Sequence, residues 1–150
     1  MKGQFDIVRE ILVFAAGIFI VVSTAYLFNR IIVPKIRDYT INNELMNVES
    51  HVSFLIKQSC ALASYESMES SVAFILEMPQ QIVNYPYMVY VINNQICAMT
   101  IGLENRYCSN FTYVSNLELS GSFHSGGKIV VECSRTGSVQ RAVISERSLL

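Results

Sequence analysis

The sequence predicts an α+β protein in which one long N-terminal helix leads into a C-terminal antiparallel β-sheet. Three features predict this fold: an uncharged apolar run, then apolar residues at helical spacing, then short strand-like runs between turn residues. We place the long helix at residues 4–70 and the β-domain at residues 71–150. Apolar residues make up 51% of the 150 residues and charged ones only 15%, and much of the apolar excess lies near the N-terminus.

The first element is a predicted transmembrane segment. Residues 11–28 carry no charge, and eleven of these eighteen are Ile, Leu, Val or Phe. Each contributes about −0.3 to −0.6 kcal/mol to membrane insertion, so the run gains roughly −3 to −7 kcal/mol. Extended to about residue 33, with Asn29 and Arg30 near one interface, a helix reaches about 30 Å or slightly more. That length crosses a bilayer, so we expect the lipid bilayer to be a partner.

The second element is an amphipathic helix that follows Pro34, where the missing backbone N–H predicts a bend. Its apolar residues recur at alternating four- and three-residue steps, which is a heptad pattern. These positions are Ile41, Leu45, Val48, Val52, Leu55 and Leu62, with Ser59 completing the series. Two interpretations remain open: the stripe packs on the protein's own β-domain, or it packs on the helix of a neighbouring subunit.

The position of each residue along the stripe divides it between these two interpretations. Val52, Leu55 and Leu62 lie near the β-domain and are expected to face the sheet. Ile41 and Leu45 lie nearer the membrane, so we expect them to be exposed in a monomer and buried in an assembly. With Val48, these two residues form the candidate assembly helix.

The third element is a sheet of about six strands. The strand-like segments are "SVAFILEM", "YMVYVI", "ICAMTI", "FTYVSNLELSGSF", "KIVVEC" and "VQRAVI". An Asn-rich turn, "NNQ", joins the second segment to the third, and a glycine-containing turn, "SRTGS", joins the last two. Because no crossover helix is available, we expect every pairing to be antiparallel.

The cysteines and one sequon suggest an oxidising, external location. Cys60, Cys97, Cys108 and Cys133 form no C-x-x-C pair, so a zinc site lacks its usual spacing. An even number suits two disulfides, although reduced core thiols are the alternative, and three pairings are possible. Asn110 begins an Asn-Phe-Thr sequon and is a candidate glycosylation site.

No pattern in the sequence indicates catalysis, a cofactor or nucleic-acid binding. The loop "GSFHSGGK" resembles a phosphate-binding loop, but Gly121 stands one residue out of register and Lys128 leads into a strand. No nucleophile lies in a recognisable elbow, so we assign no catalytic residue, no metal ligand and no cofactor. The basic residues are scattered singly, which gives nucleic acid no binding surface.

The opening "MKGQ" suggests a processing signal, for which there are three interpretations. An ordinary secretory signal would be cut at "STA", before Tyr26. An uncleaved single-pass anchor would need no cut at all. The third interpretation comes from Lys2, Gly3 and Gln4, which are followed by a short charged segment and an apolar helix.

This third arrangement resembles the class III (prepilin-type) signal peptide of archaeal type IV pilin-like proteins. The resemblance implies that residues 1–3 form a leader, which a prepilin-type peptidase removes on the cytoplasmic side after Gly3, so that Gln4 becomes the first mature residue. The family's layout is a long helix that leads into a β-rich head. The family's usual glutamate at the fifth mature position is replaced here by Val8, which weakens the case for a major filament subunit and leaves room for a minor or accessory one.

The expected function follows from the anchor and the resemblance. We expect a membrane-anchored, pilin-like structural protein, not an enzyme, that associates with itself or with other pilin-like subunits of a surface filament or secretion machine. The alternative is a single-pass, membrane-tethered extracytoplasmic binding module that does not assemble. Basic residues flank the anchor on both sides and slightly favour a cytoplasmic head. The leader, the cysteines and the sequon favour a cytoplasmic N-terminus and an external head, which is the topology we predict.

Overall fold

The computed structural model describes residues 2–65, 69–113 and 116–147, except for the side chains of residues 2–5 and 69. Helical residues run from Lys2 to Tyr65 and are followed by strands. This confirms the predicted α+β fold, a long N-terminal helix that leads into a mostly antiparallel sheet. The chain divides into two compact units, residues 1–39 and residues 40–150.

The first unit is helical throughout its described residues. Helix α1 spans Lys2–Leu27, a π-helical segment spans Phe28–Ile32, and helix α2 begins at Val33 and ends at Tyr65. In the π-helical segment the Val33 N–H donates to the carbonyl of Phe28, five residues back. Pro34 follows directly, and a proline at this point has no N–H and crowds the carbonyl four residues earlier. The disturbance expected at Pro34 therefore takes the form of a wider helical turn.

The second unit contains the sheet and the part of α2 that packs on it. The seven strands are β1 (Glu69–Glu77), β2 (Tyr87–Ile92), β3 (Gln95–Thr100), β4 (Arg106–Asn110), β5 (Leu117–His124), β6 (Lys128–Thr136) and β7 (Val139–Arg147). Their order across the sheet is β1-β6-β7-β5-β2-β3-β4, so β1 and β4 are its edges.

Two details of the sheet differ from the prediction. The described residues form seven strands rather than six, because the polar segment Arg106–Asn110 pairs with β3. Its sequence, RYCSN, lacks the apolar alternation by which a strand is predicted. In addition, β5 pairs with β7 in parallel, so the expectation of a wholly antiparallel sheet was wrong.

Strand β5 pairs with two neighbours at different points along its length. Residues 117–121 of β5 pair with β7, and residues 122–124 pair with β2. The change of neighbour falls at Gly121, whose φ is +108°. A Cβ atom there would lie 1.9 Å from the carbonyl oxygen of Ile144. Only glycine permits this close approach. The continuity of the sheet from β7 through β5 to β2 therefore depends on Gly121.

Both predicted hairpin turns are present. Asn93 and Asn94 both have positive φ, 48° and 61°, and they connect β2 to β3 in a two-residue loop. This is the backbone of a type I′ turn, which asparagine tolerates well. Gly137 and Ser138 connect β6 to β7 in another two-residue loop, in which only Gly137 has positive φ, 62°.

The core lies between α2 and the inner face of the sheet. Its helical side is a row of buried residues that share one face of α2: Ile41, Leu45, Val48, Val52, Leu55, Ile56, Ser59, Cys60 and Ala63. These belong, apart from Ser59 and Ala63, to one cluster with buried residues of the strands, among them Val89, Ile96, Phe123, Ile129, Val131 and Ile144.

This packing corrects the expectation for the assembly helix. Ile41 and Leu45 are fully buried and Val48 is 5% exposed within the single chain, so none of them is left for a neighbouring subunit. The stripe is internal packing, which was the other interpretation of the heptad pattern. Val52 and Leu55 face the core as expected, but Leu62 is exposed, so the expectation that it faces the sheet was wrong.

The exposure of Leu62 follows from helical geometry. A straight α-helix has 3.6 residues per turn, so its buried face drifts by about 20° per heptad away from a strict seven-residue repeat. Over the three heptads after Ile41 the drift moves the buried face from Leu62 towards Ala63, which is fully buried. The heptad pattern therefore predicts the start of the stripe better than its end.

The largest side chain buried in the core is a tyrosine. The ring of Tyr87 is fully buried and meets the edge of the Phe123 ring, with 6.4 Å between the ring centroids. Burial raises the pKa of Tyr87 to about 12, and its hydroxyl has no hydrogen-bond partner among the described residues. A buried hydroxyl without a hydrogen-bond partner destabilises the fold. The stabilisation at this position therefore comes from burial of the aromatic ring.

Gly121 provides a test of the sheet junction. We expect Gly121→Ala to lower the free energy of unfolding by roughly 3 kcal/mol or more, because strain at positive φ adds to a collision with backbone. Gly126 is the matched control, since its φ is +110° but a Cβ there would meet nothing within 4 Å. Gly126→Ala should cost only about 1–2 kcal/mol. Denaturant unfolding of the full chain in detergent, followed by near-ultraviolet circular dichroism, measures both, and equal losses would contradict this account of the junction.

Two leucines of the heptad pattern, Leu45 and Leu62, test the internal packing. Leu45→Ala should destabilise the head by about 2–5 kcal/mol, because it leaves a cavity in the core. Leu62 is 44% exposed, and Leu62→Ala should change the stability by about 0.5 kcal/mol or less. Thermal melts of the two full-length variants give the comparison. Similar melting temperatures would mean that Leu45 is not a core residue.

Candidate functional site

The first candidate site is the uncovered apolar surface of the N-terminal helix. Every Ile, Leu, Val and Phe between residues 7 and 36 is exposed, on all sides of the helix. The most apolar stretch of eighteen residues has none of its members buried, and the helix is long and apolar enough to cross a membrane. A helix that is apolar all round requires an apolar environment, which a lipid bilayer supplies.

Polar groups near this surface are arranged as lipid contact requires. The hydroxyl of Thr24 donates to the carbonyl of Ile20 at 2.7 Å, so its polarity is satisfied within the helix. The guanidinium of Arg30 lies over the ring of Tyr26, 5.6 Å from the ring centre. Arg37 and Asp38 follow as an exposed ion pair, with 3.6 Å between Nε and Oδ1. An aromatic ring and a cation together are typical of the region where a helix leaves the membrane.

The residues of the predicted leader cleavage site lie at the very start of α1. Gly3 and Gln4 are in the first helical turn, while Met1 and the side chains of residues 2–5 lie outside the described part of the chain. Cleavage after Gly3 therefore stays a prediction.

The four cysteines form two disulfides, one of the three pairings that the sequence left open. Cys60 near the end of α2 is joined to Cys133 of β6, with 5.1 Å between the Cα atoms. Both are fully buried, so this bond ties the helix to the sheet inside the core. Cys97 of β3 is joined to Cys108 of β4, with 4.1 Å between the Cα atoms.

The second disulfide is a cross-strand bond, and its position follows from the hydrogen-bond ladder. Asn94 and Phe111 are hydrogen-bonded at one end of the β3–β4 ladder, and Thr100 and Asn105 are bonded at the other. Because hydrogen-bonded and non-hydrogen-bonded pairs alternate, Cys97 and Cys108 form a non-hydrogen-bonded pair. Side chains are closest at such pairs, which brings the two sulfurs together on the outer face of the sheet.

An arginine and a tyrosine cover this disulfide from solvent. Arg106 donates from Nε to the sulfur of Cys108 at 2.9 Å and from Nη2 to the sulfur of Cys97 at 3.4 Å. Its guanidinium also lies over the ring of Tyr90, 5.5 Å from the centre. Cys97 is fully buried although its strand faces outward at this position. Reagents in solution therefore meet the arginine before they meet Cys97.

Sequence reasoning missed a buried carboxylate on α2. Glu49 is only 3% exposed, and its Oε1 accepts from the hydroxyl of Ser53 at 2.7 Å and from the hydroxyl of Ser109 at 2.5 Å. Ser109 lies on β4, so this oxygen joins the helix to an edge strand. The Glu-x-x-x-Ser spacing on the helix is visible in the sequence, but the partner on β4 is sixty residues away.

A polar depression of about 270 Å³ lies where α2 ends. It is lined by Ser64, Tyr113, Asn116, Arg135, Ser138 and Gln140. Arg135 donates to the carbonyl of Ser64 at 3.2 Å and to that of Gly137 at 3.1 Å. The last carbonyls of a helix have no partner within the helix, so Arg135 satisfies one of them. Its cation has a structural role here.

The remaining candidates take ordinary places. Residues 125–127 of the glycine-rich loop form a turn between two strands, and Ser125 accepts a hydrogen bond from the Tyr87 N–H at 3.0 Å. Asn110 ends β4 and is exposed, and its Oδ1 accepts from the amide of Gln95 at 2.8 Å. Among the residues that the structure describes, no three of His, Cys, Asp and Glu lie together as a metal site.

No protein family, curated protein or solved structure matches this chain. Its function is therefore inferred from its own sequence and geometry.

The two disulfides should differ in their effect on stability. In the loop-entropy account the longer loop gains more, and the separations are 73 residues for Cys60–Cys133 and 11 for Cys97–Cys108. The first bond should contribute about 1.7 kcal/mol more than the second. Double alanine variants of each pair, compared by denaturant unfolding, measure this difference. A larger loss from the Cys97/Cys108 variant would contradict it.

Proposed function

We propose that the chain is a membrane-anchored, pilin-like structural protein, a subunit or accessory component of a surface filament or secretion machine. One observation carries the proposal: a single helical stretch is uncovered and apolar in its first part and forms the wall of the head's core in its second. Such a helix serves as an anchor and as a structural element of the head at the same time. This is the layout of the type IV pilin-like family.

The start of the chain supports the same proposal. Lys2, Gly3 and Gln4 precede the apolar helix as in the class III signal peptide of archaeal type IV pilin-like proteins. A prepilin-type peptidase would cut after Gly3 on the cytoplasmic side, leaving the helix in the membrane with its new N-terminus inside. The partners are then the lipid bilayer and further pilin-like subunits.

An external head is supported by the chemistry of its surface and core. Two disulfides in a domain of this size favour an oxidising compartment. Asn110 is an exposed sequon asparagine whose side-chain oxygen is engaged by the amide of Gln95. A glycan would be attached to the other atom of that side-chain amide, its nitrogen, so this hydrogen bond and glycosylation are compatible. We therefore place the head outside the cell membrane.

A second candidate function is a membrane-tethered extracytoplasmic binding module that does not assemble. One observation favours it: the stripe that includes Ile41, Leu45 and Val48 is buried within the chain, so it supplies no surface for a neighbour. The oligomeric state of the full-length protein in its native membrane distinguishes the two functions. Assemblies of many copies support the filament component, and the absence of such assemblies at native expression levels supports the tethered module.

Removal of the leader tests the proposed family. In cells that contain a prepilin-type peptidase, intact mass spectrometry should find a mature chain that begins at Gln4, either free or cyclised to pyroglutamate. Gly3→Val should block the cut, because the peptidase must accept a residue with almost no side chain there. Gly17→Ala lies further along the same helix, where a Cβ would meet nothing within 4 Å, and it should leave processing unchanged. Retention of Met1, or a chain that begins at Tyr26, would exclude the prepilin-type leader.

A further inference from the structure

Among the described residues, one edge of the head's sheet is left open. Strand β1 pairs with β6 on one side, and no described residue pairs with its other side. Its nine residues, Glu69–Glu77, contain no proline, and no charge lies between the two terminal residues. Sheet edges in natural proteins are normally short, charged, bulged or covered, because an open edge pairs with other strands.

The opposite edge of the sheet is different. Strand β4 has only five residues, begins with Arg106 and carries the cross-strand disulfide. Ser109 of this strand is held by Glu49 of the helix. These features protect β4 against pairing with another strand, and β1 lacks them.

The side chains of β1 also lack the cover that a further strand would provide. Val72, Phe74 and Leu76 point towards the core but are only half-buried. On the outer face, Ser71, Ala73 and Glu77 are exposed and Ile75 is 49% exposed. A strand added beside β1 would cover both rows and would satisfy the free backbone groups.

We propose that β1 pairs in antiparallel fashion with β1 of a second copy of this chain, about a two-fold axis at Phe74. This register places Phe74 opposite its own counterpart and Val72 opposite the partner's Leu76 on the inner face. On the outer face it places Ala73 opposite the partner's Ile75, and Ser71 opposite the partner's Glu77. Apolar residues thus meet apolar ones, the acid meets a hydroxyl, and the single patch serves both copies.

The residues of β1 favour β1 of a second copy as the partner strand, and they favour the register centred on Phe74. An axis at Ala73 instead would bring the two acidic ends of the strand opposite each other, which is unfavourable. Pairing of β1 with β4 of a second copy would set nine residues against five and leave four residues of β1 without a partner. The self-pairing concerns the head alone, so it applies to a filament component and to a tethered module equally.

Site-specific photo-crosslinking tests the contact. A photoreactive benzophenone amino acid at Ile75 of the full-length protein in detergent micelles should give a covalent dimer. The control places the benzophenone amino acid at Val143, on the outer face of β7, which has a paired strand on each side. This control variant should give no dimer. Mass spectrometry should find the link between residue 75 and the 69–77 segment of the other copy. Absence of a dimer, or a link to residues 106–110, would overturn the proposal.

A pair of charge variants tests the register. In its own chain, the Ser71 hydroxyl donates to Glu132 at 2.6 Å, so both variants are made in a Glu132→Gln background. Ser71→Lys should then raise the crosslinked fraction and Ser71→Glu should lower it, because residue 71 lies opposite the partner's Glu77 twice in the dimer. The apparent dissociation constants of the two variants should differ by roughly two- to twentyfold. Equal crosslinking by two variants with the same melting temperature would overturn the register.

Discussion

The head depends on the burial of one face of α2 against the inner face of the sheet. A seven-stranded sheet with an apolar inner face cannot remain in water uncovered, and α2 is the only helix that the described residues place on it. Ile41, Leu45 and Val52 are fully buried where the helix covers the strands. The Cys60–Cys133 bond then holds the end of the helix to β6, where the apolar contact is ending. Burial of the apolar face supplies the stability, and the disulfide prevents the end of the helix from separating from the sheet.

The same continuous helical stretch carries apolar side chains in two different arrangements. Between residues 7 and 36 every large aliphatic side chain is exposed. From Ile41 onward one face is buried in protein, and the other is mainly polar but includes the exposed Met46, Phe54 and Leu62. The two parts differ in overall hydrophobicity and also in the distribution of apolar residues around the helix. An apolar surface on all sides suits lipid, and an apolar stripe suits a sheet. The change between the two patterns falls close to Pro34 and the π-helical turn before it.

Local chemistry explains which features could be predicted from the sequence. The apolar run, the stripe and the Asn93–Asn94 turn are each encoded by neighbouring residues, and each is present. Strand β4 and the parallel β5–β7 pair were not predicted, because both depend on contacts with distant strands. The stripe itself was visible, but a spacing pattern does not identify the surface that covers it. The role of Gly121 is hidden for the same reason, since only the folded sheet brings Ile144 beside it.

Apolar packing has little preference for position along a helix, because one methyl group replaces another at small cost when a helix slides on a sheet. Glu49 removes that freedom. Its Oε1 accepts from Ser53 of the same helix and from Ser109 of β4, and hydrogen bonds lose their strength over a few tenths of an ångström. A shift of the helix by one residue would leave a carboxylate in the interior without donors, which is far more costly than an imperfect apolar contact. Glu49 therefore fixes the position of α2 along the sheet, which the apolar contacts alone leave free.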